Sequence, residues 1–122
     1  MIIGVGMDLV EIGRIRRSMK KERFLRDYYG LQEQALFAAR NQSAETVAAN
    51  FAAKEAFAKS LGYGVRGFLL REVQTLRDDR GAPYLLLSGR AKQKAAEAGI
   101  KRFHVSITHS KEFAAATVIA EQ

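Results

Sequence analysis

The pattern of hydrophobic and polar positions predicts a β-strand over residues 2–9. Successive side chains of a strand point to opposite faces, so its larger apolar side chains share one face: Ile3, Val5, Met7 and Leu9. The opposite face carries Gly4, Gly6 and Asp8. Two glycines leave bare backbone beside a single carboxylate, so we expect something bulky to approach this face closely.

From Val10 the spacing becomes helical, with apolar residues three to four positions apart: Ile12, Ile15 and Met19. A second helical region is predicted over residues 24–40, with a break near Gly30. The main helix is predicted over residues 44–61, with Ser43 as its N-cap and Gly62 at its end.

The rest of the chain favours short strands joined by turns, together with one further helix over residues 90–98. The predicted strands span residues 72–77, 84–88, 103–108 and 113–120. Short turns between successive strands favour antiparallel pairing. The sequence therefore predicts an α+β fold with an antiparallel sheet packed against a long central helix, in one domain spanning residues 1–122.

Composition and apolar run length exclude cysteine-dependent sites and argue against a membrane span or a secretory signal. The chain has no cysteine, which excludes disulfides, thiolate metal sites and cysteine nucleophiles. Its apolar runs are too short to span a membrane, and the N-terminus lacks the features of a secretory signal. We expect a cytoplasmic protein.

Charge is the second strong feature of the composition. Twenty Lys and Arg residues against 13 Asp and Glu residues give a net charge of +7. Such a field attracts anions. Nucleic acid, a phosphorylated cofactor, anionic lipid and an acidic protein all remain possible partners on this ground.

Candidate chemistry centres on two carboxylates. Phe51, Glu55 and Lys59 form one column of the central helix. If Glu55 meets Asp8 beside a cavity, the pair suits a hard cation such as Mg²⁺, and nearby lysines, including Lys54, suit a pyrophosphate-bearing substrate. The residues alone also allow a solvated Glu55–Lys59 pair and a helix-capping role for Asp8.

Two other segments allow binding. His104, Ser106 and Thr108 share a strand face that ends at His109, and this face either lines a nucleotide site or is solvated. Two histidines without a third ligand do not favour a zinc site. The basic helix over residues 14–21 could bind nucleic-acid phosphates or an acidic protein helix, or could simply face solvent.

Three segments resemble the signatures of the holo-acyl-carrier-protein synthases, in the same order along the chain. They are residues 4–15 (GVGMDLVEIGRI), residues 51–59 (FAAKEAFAK) with the glycines of residues 62–64, and residues 105–116 (VSITHSKEFAAA). Residues 81–85 (GAPYL) also resemble the hairpin of that family. All three signatures together are highly specific, where one alone would be weak.

The resemblance implies a 4′-phosphopantetheinyl transferase fold and activity. Such an enzyme moves 4′-phosphopantetheine from coenzyme A to a serine of apo acyl carrier protein and releases adenosine 3′,5′-bisphosphate. It requires Mg²⁺ and supports fatty acid biosynthesis. Relatives of this length are typically homotrimers with their sites at subunit interfaces.

The resemblance also implies residue roles. Asp8 and Glu55 would hold Mg²⁺, and Lys59 would contact the pyrophosphate and assist the leaving phosphate, so these three form the predicted catalytic set. The predicted coenzyme A contacts are Lys54, Lys59, Gly62, Gly64, Ser106, Thr108 and His109. The acidic carrier protein would meet the basic helix at Arg14, Arg17, Lys21 and their neighbours. No nucleic-acid or membrane partner is implied.

The chain departs from the family pattern in three places. Asn50 stands where many relatives have arginine, Tyr63 stands between the two glycines where many have threonine, and residues 26–44 match poorly. These departures concern coenzyme A contacts and carrier preference more than the reaction. The alternatives are a basic nucleic-acid-binding domain and a non-catalytic partner of carrier proteins.

Overall fold

The computed structural model describes residues 1–62 and 67–122. In chain order its elements are β1 (Ile2–Glu11), α1 (Ile12–Ser18), α2 (Phe24–Tyr28), α3 (Leu31–Ala39), α4 (Ala44–Ser60), a 3-10 turn (Leu70–Glu72), β2 (Val73–Arg77), β3 (Pro83–Leu87), α5 (Gly89–Glu97), β4 (Arg102–His109) and β5 (Phe113–Glu121). No helix within the described ranges is long and apolar enough to cross a membrane.

All strand pairs are antiparallel. One sheet has the order β1-β5-β4, and β2 with β3 forms a separate hairpin. Helix α4 packs against β1 and β5 of the three-stranded sheet. The predicted α+β class, with an antiparallel sheet against a long central helix, is confirmed.

The ends of α4 follow local sequence signals. The Ser43 hydroxyl accepts a hydrogen bond from the Thr46 N–H at 3.3 Å, which confirms the predicted N-cap. After Ser60 the chain leaves the helix, and Gly62 adopts φ +93°, a conformation that glycine tolerates best.

Helix α4 is the bulky group that approaches the glycine face of β1. A Cβ at Gly4 would overlap the carbonyl oxygen of Ser60, and one at Gly6 would overlap that of Ala56. The bare glycine backbone of β1 lets the strand pack closely against these carbonyls of α4, and alanines on α4 and β5 complete this face of the core. Asp8, on the same strand face, is therefore directed toward α4.

The other face of the three-stranded sheet is open in the single chain. On β1 it carries exposed apolar side chains: Ile3 (43% exposed), Val5 (59%), Met7 (62%) and Leu9 (65%). Residues paired across antiparallel strands share a face, and Met7 pairs with Thr117, which pairs with Ser106. Contiguous apolar surface of this kind marks an interaction site.

The helix-capping alternative for Asp8 is excluded. Strand β1 continues to Glu11, so α1 begins at Ile12 rather than near Val10. Glu11 occupies the N-cap position of α1 and makes no side-chain capping hydrogen bond. Asp8 lies inside the strand, three residues before that cap.

Candidate active site

Asp8 and Lys59 meet between β1 and the last turn of α4. The Lys59 Nζ donates a hydrogen bond to Asp8 Oδ1 at 3.0 Å and another to the Met7 carbonyl oxygen at 3.1 Å. The Asp8 side chain is 18% exposed and that of Lys59 is 52% exposed. The site is therefore at the surface but partly shielded from solvent.

Glu55 completes this group one helical turn before Lys59. Burial raises the pKa of the Glu55 carboxyl, and the charge of Asp8 raises it further. Lys59 and Arg14 oppose that rise in pKa. The structure thus places two mutually repelling carboxylates beside two cationic side chains. Lys59 hydrogen-bonds to Asp8, so the alternative of a solvated Glu55–Lys59 surface pair is not what the structure shows.

The donor set fits Mg²⁺. In the part of the chain that the structure describes, no three Asp, Glu or His side chains converge, so an all-protein metal cage is not built there. Mg²⁺ instead favours one or two carboxylates and completes its shell with water and substrate phosphates. Asp8 and Glu55 supply two hard oxygen donors whose mutual repulsion a cation would relieve.

A cleft of about 400 Å³ lies between α1, α2 and α4. Its walls include Arg14 and Phe51, the latter one turn before Glu55 on α4. The remaining lining residues are Val10, Ile15, Ser18, Lys21, Arg23, Phe24, Asp27 and Tyr28. A largely basic rim over an apolar floor suits an anionic partner that also offers apolar contacts.

Sequence reasoning missed the aromatic part of this cleft. Phe24 and Tyr28 lie one turn apart on α2, with ring centroids 5.5 Å from each other. The available signal was an aromatic pair at helical spacing, Phe24 and Tyr28, in a segment that also carries Arg23 and Arg26. Their meeting with α1 and α4 depends on tertiary packing, which that spacing does not reveal.

The predicted carrier-protein residues are placed unequally. Arg14 and Lys21 line the cleft. Arg17 instead forms an exposed ion pair with Glu11 at 3.6 Å, and Arg16 pairs with Glu45 at 3.6 Å. Exposed pairs of this kind are weak, so these arginines stay available to a stronger anionic partner.

Lys54, a predicted coenzyme A contact, is buried in the single chain and does not face the site. Its side chain is fully buried, and its Nζ donates to Glu33 Oε1 at 2.5 Å, to the Val73 carbonyl at 2.6 Å and to the Leu70 carbonyl at 3.1 Å. Burial lowers the pKa of Lys54 to about 8, against the opposing charge of Glu33. The physical reason is helical geometry: Lys54 and Glu55 point about 100° apart, so only Glu55 faces the site.

Asn50, the departure from the family pattern, belongs to the same buried cluster. Its Nδ2 donates to Glu33 Oε2 and to the Thr75 carbonyl, both at 2.9 Å. Arg77 donates to Asn50 Oδ1 at 3.4 Å. Asn50 therefore serves the core between α3, α4 and β2 rather than an exposed surface.

Ser106, Thr108 and His109 are not brought together with Asp8 and Glu55 in one chain. Ser106 and Thr108 are exposed on the open sheet face, across the sheet from α4. The pKa of Glu45 is lowered by hydrogen bonds from its backbone and Ser43, and then by charges that include His109. His109 thus lies near Glu45. Glu45 and Glu55 are ten positions apart on α4, a rise of roughly 15 Å along the helix axis, so His109 lies far from Glu55.

Of the two glycines predicted for the coenzyme A site, Gly62 lies within the described residues. Gly62 is exposed just after α4, and a Cβ there would meet nothing within 4 Å. Gly64 lies outside the described residues, as does Tyr63.

Comparison with known proteins places this site in context. Residues 4–118 match the 4′-phosphopantetheinyl transferase superfamily. The holo-acyl-carrier-protein synthase of Halothermothrix orenii is 40% identical over 100% of this chain and 99% of the relative.

Two solved structures have the same fold over nearly their whole length. The crystal structure of the holo-acyl-carrier-protein synthase of Neisseria meningitidis is 32% identical, with a TM-score of 0.93 over 100% of both chains. That of Helicobacter pylori, solved in complex with coenzyme A, is 29% identical, with a TM-score of 0.83 over 96% of this chain and 99% of that one.

Proposed function

Since this chain belongs to the holo-acyl-carrier-protein synthase family of the 4′-phosphopantetheinyl transferase superfamily, we propose that it transfers 4′-phosphopantetheine from coenzyme A to a serine of apo acyl carrier protein. The observation that carries the proposal is the meeting of Asp8 with Lys59 and Glu55, one turn of α4 from the basic cleft that Phe51 lines. The Helicobacter pylori relative was solved with coenzyme A, which supports coenzyme A as the donor.

Mg²⁺ is the proposed metal, held by Asp8 and Glu55. Bound there, the cation would offset the negative charge of the pyrophosphate and of the phosphate that leaves it. Support comes from the pKa of Glu55, which burial raises and the charge of Asp8 raises further, so a cation between the two carboxylates would relieve their repulsion.

The chemistry proposed is an in-line displacement. The carrier serine Oγ attacks the β-phosphorus of coenzyme A, and the bond from that phosphorus to the bridging oxygen breaks. Adenosine 3′,5′-bisphosphate leaves, and the serine proton passes to a water oriented by Asp8 or Glu55. Half of the Lys59 side chain is exposed, so it can reach the leaving phosphate and stabilise the charge that develops there.

A homotrimer is the proposed assembly, with each site shared between neighbouring copies. Support comes from the exposed apolar face of β1, which a second copy of the chain would cover. Ser106, Thr108 and His109 are separated from Asp8 within one chain, so a neighbouring copy would bring them to the coenzyme A site.

The carrier protein is proposed to dock on α1 and α2. Arg14 and Lys21 line a cleft that reaches Phe51, next to Glu55 on the same helix face. An acidic carrier helix would be attracted by the net charge of +7, and its serine would enter beside Glu55. We place this reaction in the cytoplasm, where it would supply holo carrier protein for fatty acid biosynthesis.

The test is the intact mass of an apo acyl carrier protein after incubation with this protein, coenzyme A and Mg²⁺. We expect a gain of one phosphopantetheine mass, which is lost with chelator, with Asp8→Ala and with Glu55→Ala. Lys92→Met, an exposed change on α5, is the matched control and should transfer normally.

Other outcomes discriminate the alternatives. Transfer that survives both carboxylate variants would refute the metal assignment but keep the reaction. Carrier binding without any mass gain would favour the non-catalytic partner, and salt-sensitive nucleic-acid binding indifferent to Glu55→Ala would favour the nucleic-acid-binding domain.

A further inference from the structure

A fully buried ion pair lies directly behind the candidate active site. Glu33 on α3 and Lys54 on α4 both have 0% exposed side chains, and their Oε1 and Nζ are 2.5 Å apart. Replacing a buried ion pair by uncharged residues of similar volume is often neutral or stabilising, so net stability is a poor explanation for such a pair. Its best-attested use is to fix the register of packed elements.

Every polar atom of the pair has a directed partner. The Lys54 ammonium uses its three donors on Glu33 and on the carbonyls of Leu70 and Val73. The Glu33 carboxylate also accepts hydrogen bonds from the N–H groups of Gly30 and Thr75, at 3.0 and 3.1 Å, and from the Asn50 side chain at 2.9 Å. The pair thus ties α4 to α3, to the 3-10 turn and to β2.

The opposite side of α4 is packed differently. There Gly4 and Gly6 of β1 lie against the carbonyls of Ser60 and Ala56. These contacts limit how closely strand and helix approach. On the same side, the half-exposed Lys59 makes directed bonds from α4 to Met7 and Asp8 of β1. On the other side, the directed bonds of the fully buried Lys54 side chain hold α4.

Sliding or rotation of α4 would disrupt the site, because its three groups are carried by two elements. Asp8 belongs to β1, whereas Glu55 and Lys59 belong to α4. Lys54 immediately precedes Glu55, so any axial shift at Lys54 is transmitted to Glu55 within one residue. Lys59 Nζ lies 3.0 Å from Asp8 Oδ1, so a shift of about 1 Å that the Lys59 side chain did not follow would take the two atoms beyond hydrogen-bonding distance.

We propose that Lys54 and Glu33 are positioning residues that set the register of α4 against β1 and thereby hold Glu55 and Lys59 in place relative to Asp8. This inference rests on the function proposed above for its kinetic consequence. Its structural consequence, the Lys59–Asp8 contact, can be measured without any activity.

The discriminating variant is Lys54→Met with Glu33→Gln, which removes both charges and nearly keeps the side-chain volumes, methionine being one atom shorter than lysine. We expect it to fold and its Lys59 ¹⁵Nζ resonance to move away from the position that the Asp8 contact gives. It should transfer phosphopantetheine about 100-fold more slowly. The Mg²⁺ concentration for half-maximal rate should rise about tenfold or more. Readouts are lysine ¹⁵Nζ correlation spectra, thermal unfolding and transfer kinetics.

Tyr29→Phe is the matched control. It removes a buried hydrogen bond from the Tyr29 hydroxyl to the Val47 carbonyl, 3.0 Å long, and keeps the ring that lies 4.9 Å from Lys54 Nζ. It should lower the unfolding temperature while leaving the Lys59 resonance, the rate constant and the Mg²⁺ dependence unchanged. A merely structural role for the ion pair predicts that the double variant behaves like Tyr29→Phe.

The outcomes separate clearly. A folded double variant with the wild-type Lys59 resonance and Mg²⁺ dependence overturns the proposal. If the double variant does not fold, Glu33→Gln decides, because it removes the carboxylate charge from the pair and keeps the size of the side chain: a shifted Lys59 resonance supports the proposal, and an unchanged one overturns it. If the wild-type protein transfers nothing, the proposed function fails, and the Lys59 resonance still decides the positioning.

Discussion

Lys59 donates a hydrogen bond to Asp8 at 3.0 Å, although the two residues are 51 positions apart in the sequence. This contact joins the first strand to the last turn of the central helix. It also brings an ammonium group to a pair of carboxylates that repel each other. The balance of these charges leads to the first two predictions.

Lys59→Met should reduce the transfer rate constant by about 100-fold or more, because an ammonium that can stabilise the leaving phosphate is lost. The same change removes a positive charge 3.0 Å from Asp8, so Mg²⁺ should bind more tightly or equally well. Rate constants measured across a Mg²⁺ titration separate these effects. A slow variant that recovers the full rate at high Mg²⁺ would contradict this role for Lys59.

The Glu55 carboxyl should titrate at a higher pH than an ordinary glutamate, because burial and then the charge of Asp8 raise its pKa. A raised folded-state pKa means that folding favours the protonated form. The contribution of Glu55 to the free energy of unfolding is therefore present at acid pH and is lost as the pH rises through that pKa.

Carboxyl ¹³C spectra recorded across pH on the metal-free protein measure this titration. Asp8→Asn should lower the Glu55 midpoint, because the repelling charge is gone. Asp79→Asn, in the exposed turn after β2, is the control and should leave the Glu55 midpoint in place. A midpoint that is indifferent to Asp8→Asn would mean that the two carboxylates do not interact.

Gly6→Ala should lower the free energy of unfolding by about 1–3 kcal/mol or more, because the added Cβ overlaps the Ala56 carbonyl on α4. Gly13→Ala is the matched control. Its Cβ would find open space or ordinary contact in helix α1, so the protein should gain about 0.4–1 kcal/mol. Urea unfolding of both variants checks the pair, and equal stabilities would contradict close packing at Gly6.

Val5→Lys should prevent self-association, because it places a charge at the centre of the open apolar sheet face. We expect the wild-type protein to sediment at three times its chain mass of 13.6 kDa and the variant to sediment as a single chain. Leu31→Lys is the control: Leu31 is 83% exposed on α3, away from the sheet, and its change should leave the assembly intact. A monomeric wild-type protein would exclude the trimer.

Much of the fold could be predicted from local patterns. Alternation predicted the strands, helical spacing predicted α4, and Ser43 and Gly62 marked its ends because capping and positive φ are properties of single residues. The boundary at Val10 was wrong by two residues, since the pairing of Glu11 with Phe113 extends β1 beyond its alternating pattern. Pairing partners on another strand are not visible in that pattern.

The sequence by itself determined the family, the α+β class and the residue types of the candidate site, because short motifs and periodicities are local. Only the tertiary structure decided that Lys54 is buried against Glu33 while its neighbour Glu55 faces Asp8. It also decided that α4 packs against the glycine face of β1 and that the apolar face of β1 is exposed in the single chain. The physical reason is that orientation about a helix and burial of a sheet face depend on which distant elements pack there, and neighbours in sequence do not encode this.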